Sequence, residues 1–160
     1  MIRSLRRVIS VMRLERLAVP LALFACVAWA PSLGAQGSPA GTWHTISDAD
    51  GRPRGIVSLV VRAGVLTGTI EGTLRTDETP GKVCDKCTDD RKDRPLLGME
   101  FLRDLRWNGD AWTGGEVLDP DTGKVYRATV RLSEDGQTLT LRGYIGITLL
   151  GRSQRWVRAR

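Results

Sequence analysis

Leu149-Leu150-Gly151-Arg152-Ser153-Gln154-Arg155-Trp156-Val157-Arg158 is the last strand-like run of the chain, and Gly41-Thr42-Trp43-His44-Thr45 is the first. Between Trp43 and Trp156 lie short runs of alternating apolar and polar residues, most of them separated by a strong turn signal. Many short strands at regular spacing are the pattern of an all-β sandwich or barrel. With a strand at each end of the pattern, it predicts a closed antiparallel up-and-down β-barrel of about eight strands, its first and last strands neighbours.

The candidate strands run roughly over 41–46, 54–62, 65–74, 98–107, 111–118, 124–132, 138–145 and 149–158. Val57, Leu59 and Val61 share one face of the second. Leu66, Ile70 and Leu74 share a face of the third, with Thr67, Thr69, Glu71 and Thr73 opposite. Tyr126, Ala128, Val130 and Leu132 oppose Val125, Arg127, Thr129 and Arg131, and Leu139, Leu141 and Ile145 oppose Thr138, Thr140 and Arg142. A period of two with one apolar face marks a half-buried strand. The connectors Asp48-Ala49-Asp50-Gly51, Ala63-Gly64, Asn108-Gly109, Pro120-Asp121-Thr122-Gly123 and Asp135-Gly136 carry turn chemistry, each supplying a residue that tolerates positive φ where a hairpin needs it. Gly68, Gly72, Gly114, Gly115 and Gly143 fall inside strands, where glycine marks the bends and bulges that close a small barrel. No internal repeat and no convincing helical period is visible.

The first 35 residues read as a targeting segment. Arg3, Arg6, Arg7, Arg13 and Arg16 precede an apolar stretch from Leu17 to Ala30, and small residues follow at Gly34 and Ala35. That is the layout of a secretory signal peptide. The stretch falls short of the roughly 20 residues of a transmembrane helix. A signal beginning at Met12 has ordinary proportions. Cleavage after Ala35 places Leu33 where a small residue is preferred. Leu23-Phe24-Ala25-Cys26 offers a second reading, a lipoprotein box with Cys26 lipidated and the protein anchored to a membrane. Against it stand the bulk of Phe24 and the apolar run that continues past Cys26. The expectation is one domain over 36–160, periplasmic or secreted, with membrane contact only if Cys26 is lipidated.

Export changes the charge argument. The formal net charge is +6, but residues 1–35 hold five arginines against Glu15 alone, which leaves 19 basic and 17 acidic residues in the remainder. No basic stripe survives in the domain, so a nucleic-acid partner loses its support. The remaining residues suffice to bury a real core.

One connector, Arg75 to Leu97, is long, polar and charged, and it carries Cys84-Asp85-Lys86-Cys87. A loop of that length is usually functional or disordered. In an oxidising compartment the pair reads as a small disulfide between Cys84 and Cys87. A thioredoxin-like centre needs a strand–helix context that is missing. A metal site needs about four ligands; there is no second Cys pair or His cluster, and although Asp89, Asp90 and His44 could contribute, nothing in the sequence fixes their geometry. Asp48/Asp50 and Asp119/Asp121 are spaced like the start of a calcium loop, but twelve positions on stand Leu59 and Val130 in place of the bidentate Glu. They read as turn residues. His44, the only histidine, follows inward-facing Trp43 and should face outward. No Gly-x-Ser-x-Gly elbow and no Gly-rich phosphate loop is present. The sequence implies no enzyme, no metal and no cofactor.

Four stretches carry a family resemblance: Gly41-Thr-Trp-His-Thr45; Arg94-Pro-Leu-Leu-Gly-Met99; Trp112 to Tyr126; and Gly143 to Arg158. Through them the region from Gly41 to Arg158 resembles domain-of-unknown-function family 2147, an exported bacterial family. The resemblance implies a single secreted or periplasmic domain, lipocalin-like in fold, with no catalytic residues to carry over. It also implies that the cysteine pair is no shared active site, since members differ in the long loop and some lack the pair. In lipocalin-like barrels an Arg late in the chain stacks on a Trp of the first strand and plugs one end. Here Trp43 is the indole, and Arg155 or Arg158 the guanidinium.

Two functions fit such a barrel. The first is a non-enzymatic binding module whose open end, beside the 75–97 loop, takes a small apolar or amphiphilic ligand. Arg94, which Pro95 biases toward extended geometry, and Trp107 and Trp112, which flank the Asn108-Gly109 turn, are the residues expected at that end. The second is a structural or interaction protein of the cell envelope, with a filled barrel and an envelope protein as partner. A cavity discriminates the two.

Overall fold

The computed structural model describes residues 37–76, 81–147 and 150–160. The expected signal segment at 1–35, with Cys26, lies outside the described residues.

Eight strands follow in chain order: β1 (Gly41–Ile46), β2 (Pro53–Arg62), β3 (Val65–Thr73), β4 (Glu100–Trp107), β5 (Trp112–Asp119), β6 (Lys124–Leu132), β7 (Thr138–Tyr144) and β8 (Gly151–Arg158). Each pairs antiparallel with the next, and β8 returns to β1, so the sheet closes into an up-and-down barrel. The seam is short, with Trp43 opposite Arg158, His44 opposite Val157 and Thr45 opposite Trp156. Closure removes the exposed strand edges that would otherwise template aggregation.

Alternation places the core. Trp43, Leu59, Leu66, Leu102, Leu105, Val130, Leu139 and Trp156 are fully buried on the inner face. Two expected inner residues fall elsewhere. Leu74 lies just past the end of β3 and Ile145 just past the end of β7, and both are exposed. The pleat imposes its period only while the ladder lasts, so both side chains are released at the barrel rim. The ladder also changes character before β4. Gly98 has φ near 79° and donates to the carbonyl of Ile70, while the Ile70 amide donates to Met99. Residues 98 and 99 therefore touch β3 without continuing its regular pairing.

The register shifts lie near the strand glycines. β3 and β4 slip on either side of Gly68, β2 and β3 slip opposite Gly72, and β5 and β6 slip between Trp112 and Gly115. At Gly115 a Cβ would sit 2.0 Å from the carbonyl oxygen of Arg103, so only glycine permits that strand crossing. Gly143 differs, lying in regular register between β6 and β8.

Candidate functional site

An up-and-down barrel sends alternate connections to opposite ends. The β2–β3, β4–β5 and β6–β7 turns share an end with both termini of the barrel, and the β1–β2, β3–β4, β5–β6 and β7–β8 connections share the other.

The first end is plugged. The guanidinium carbon of Arg158 lies 4.3 Å from the ring centroid of Trp43. Arg158 donates Nε–H to the Gly136 carbonyl at 2.8 Å and its two Nη groups to Ala40 and Ser38 at 3.0 Å each. Trp43 donates its indole N–H to Pro39 at 2.9 Å. One arginine thus joins the β6–β7 turn to the lead-in of β1. Of the two candidate arginines it is Arg158 that stacks. Arg155 is exposed, because one position from Trp156 in a strand is the opposite face.

The second end is open. A cavity of about 760 Å³ enters the barrel there. Its inner wall includes Val57, Ile70, Phe101, Val117, Tyr126, Leu141 and Trp156. Phe101 and Trp156 meet at 5.9 Å between ring centroids, tilted by 50°. Gly55, Gly72, Gly143 and Gly151 also line the space. These glycines add no side chain to the wall; the cavity occupies the upper half of the barrel, and leucines pack the lower half.

The rim is charged. Arg54, Lys82, Asp119, Asp121 and Arg152 line the mouth. Asp121 accepts from Arg54 at 2.7 Å and from Lys82 at 2.9 Å, and its backbone carbonyl accepts from Lys86 at 2.8 Å. Burial pushes the Asp121 carboxyl up, but the hydrogen bonds from Lys82 and Arg54 outweigh it and hold the group below the ordinary carboxylate range. Arg152 pairs with Asp48 across the seam. The turn aspartates spaced like a calcium loop are therefore split: Asp121 is a clamp for two cations, while Asp119 accepts from the Asp121 amide as an ordinary turn residue. Among the described residues no cluster of His, Cys, Asp or Glu is arranged to hold a metal ion.

Residues 81–97 of the long connector form an organised loop pinned beside this mouth. Cys84 and Cys87 are joined by a disulfide and are both fully buried. Val83 bridges to Pro95, and the Cys84 amide donates to the Arg94 carbonyl at 2.9 Å. The loop sits on the β5–β6 turn so closely that a Cβ at Gly123 would lie 1.9 Å from the Lys86 carbonyl oxygen. On the outer face of β4–β5, Arg91 is only 2% exposed and bonds Asp89 and Glu116. Arg103 holds Asp90 through two bonds of 2.9 Å. Only Lys82 and Leu96 of the described loop residues reach the cavity wall.

Three expected ligand-end residues are misplaced. Trp107 and Trp112 pair at 5.9 Å beside the β4–β5 turn, at the plugged end. Arg94 is exposed and lines a small outer cleft with Arg91 and Arg103, not the cavity. For Arg94 the reason is that its part of the loop packs on the outer side of β4, beside Glu100 and Arg103; for the two tryptophans it is parity. The long loop is the third connection and the Trp107–Trp112 turn the fourth, so they must leave the barrel at opposite ends. The same count finds the residues missed: Arg54, Asp121 and Arg152 flank the first, fifth and seventh connections.

A closed eight-stranded antiparallel barrel, plugged by a Trp–Arg stack at one end and hollow at the other, is a lipocalin-like barrel. A solved structure of the same architecture is described as "Protein HP1028 from the human pathogen Helicobacter pylori belongs to the lipocalin family"; it is 19% identical, covers 77% of this chain and 84% of its own, and superposes with a TM-score of 0.66. At that identity the likeness is one of fold. Residues 41–158 match the family described as "Uncharacterized protein conserved in bacteria (DUF2147)", and the chain belongs to that family. Among curated proteins, none matches the chain.

Proposed function

We propose that this protein is exported and is a non-enzymatic binding module for a small apolar or amphiphilic ligand. The observation that carries the reading is the cavity of about 760 Å³, open at one end and closed at the other. Its size falls in the range of roughly 300–1,000 Å³ typical of small-molecule sites, which combine an apolar lining with a few polar groups. Here the deep wall is aliphatic and aromatic, and the polar groups stand at the mouth. An apolar chain placed inside loses water on nearly every side, while a polar head remains at the rim.

The groups at the mouth favour binding over catalysis. Asp121 is engaged by two cations, and His44 lies outside the cavity lining on β1. An interaction protein of the envelope with a filled barrel is the alternative, and the empty upper half disfavours it.

Native mass spectrometry of the chain purified without detergent tests the reading after incubation with a panel of fatty acids, lysolipids and neutral hydrophobes. One added ligand per chain is expected. Val117→Trp, which fills the cavity from its β5 wall, should remove that adduct while the protein stays folded by circular dichroism. An adduct absent from the whole panel, or equally abundant in the filled variant, overturns it.

A further inference from the structure

The described residues at the tip of the β7–β8 hairpin are apolar, and no other described residue covers them. Ile145 is 65% exposed, Ile147 61% and Leu150 72%. Exposed large apolar residues scattered singly are ordinary, whereas several in one short turn mark an interaction surface. Leu97 and Trp107 are exposed singly, one on the long loop and one at the plugged end. The tip also lies at the mouth, for Ile145 and Leu150 line the cavity itself.

The charge of the hairpin narrows the partner. From Arg142 to Arg152, the part of the hairpin at the open end, the sequence holds two arginines and no acidic residue, while Arg155, Arg158 and Arg160 lie farther toward the plugged end. Arg142 on β7 and Arg152 on β8 stand just behind the tip, Arg152 also paired with the exposed turn residue Asp48. Tyr144 closes β7 immediately before Ile145, and an amphipathic ring at that level suits a headgroup region. Apolar side chains in front, with an aromatic ring and arginines behind, match a lipid surface rich in anionic headgroups. A second copy of the chain fits worse, because it would set one cationic hairpin against another.

We propose that the open end of the barrel docks on an anionic lipid surface through Ile145, Ile147 and Leu150, with Arg142 and Arg152 behind them at headgroup level. The contact needs no lipid on Cys26 and stands whether or not the cavity holds a ligand. It places the cavity mouth against the lipid, so that an apolar molecule need not cross water to reach it.

Cosedimentation of the full chain with phosphatidylcholine vesicles, with and without phosphatidylglycerol, tests it. Residues 1–36 are common to every protein compared, so the difference between variants reports the tip. The expected result is that Ile147→Asp/Leu150→Asp lowers the fraction bound to phosphatidylglycerol vesicles by about tenfold or more, since such binding scales with buried apolar area plus attraction to anionic lipid. Added salt should weaken the tip-dependent part. Ile147→Trp should bind like wild type, with its added emission shifting to the blue on vesicle addition. Equal binding by wild type and the double-Asp variant overturns the proposal, as does no binding to either vesicle. Self-association in lipid-free solution that the same substitutions abolish also overturns it and assigns the tip to a contact between copies. Ligand adducts measured without vesicles report on the cavity separately.

Discussion

Arg158 stands directly across the seam from Trp43, with its guanidinium carbon over the indole, 4.3 Å from the ring centroid. This contact joins the last strand to the first and closes one end of the barrel in the same place. Trp43 is fully buried, and truncating a large core aromatic costs about 3–5 kcal/mol. Trp43→Ala should lose that much in urea denaturation. Arg158→Ala should lose about 2–3 kcal/mol, from the stack and the charged hydrogen bonds to three carbonyls. Arg155→Ala, on the outer face, should stay within about 0.5 kcal/mol of wild type.

The disulfide closes a very small ring, since Cys84 and Cys87 are three positions apart. Loop-closure entropy then contributes only about 2 kcal/mol. Thiol titration of the unreduced exported protein should read near zero. Cys84→Ala/Cys87→Ala should still form the barrel, and hydrogen exchange should quicken across the long loop while the β1–β8 seam keeps its protection. Two titrating thiols in the wild type, or loss of the barrel in the variant, would contradict this.

Asp89 carries the clearest acid signature. The hydrogen bond from Arg91 lowers its carboxyl from 3.8 to about 2, against an opposing effect of burial. A depressed folded-state value means that the charged form stabilises the fold. The stabilisation is therefore complete above about pH 4–5 and is lost as the pH falls through about 2. With 34% of the side chain exposed, solvent screening reduces the contribution to about 1 kcal/mol. Asp89→Asn should be less stable than wild type at neutral pH, and the gap should close near pH 2. A gap that does not change with pH would show that the Asp89 charge contributes nothing.

Asp121 is the carboxylate that two mouth cations share. Asp121→Asn removes its charge but keeps its size. Affinity for an anionic amphiphile should then rise several-fold relative to a neutral one of the same chain length, most clearly at low salt, where surface charges are least screened. Unchanged relative affinity would place the head group away from Arg54 and Lys82.

The sequence carried the barrel because each strand announces itself twice, once by its period of two and once by the turn that follows. Asn108-Gly109 and Asp135-Gly136 both mark real hairpins. Even the choice between Arg155 and Arg158 was readable, since Arg158 is two positions from inward Trp156 and Arg155 only one. The ends of the barrel were harder. Trp107 and Trp112 drew attention as aromatics beside a turn, yet counting connections puts them opposite the long loop. The cavity itself was hidden, because empty space depends on where glycines and leucines meet across strands far apart in sequence. Nor does the loop's charge pattern reveal that Arg91 folds under it to meet Glu116 on β5, a contact that only the assembled sheet creates.

Titration of the chain with an environment-sensitive fluorescent fatty-acid probe, in wild type and in two variants that fill the cavity from different strands, tests the binding function most directly. Val117→Trp fills it from β5 and Leu141→Trp from β7. Saturable uptake of one probe per chain by the wild type is expected, with uptake lost in both variants while their melting transitions remain cooperative. No saturable uptake by the wild type, or uptake unchanged in both filled barrels, would contradict a ligand-binding role for the cavity.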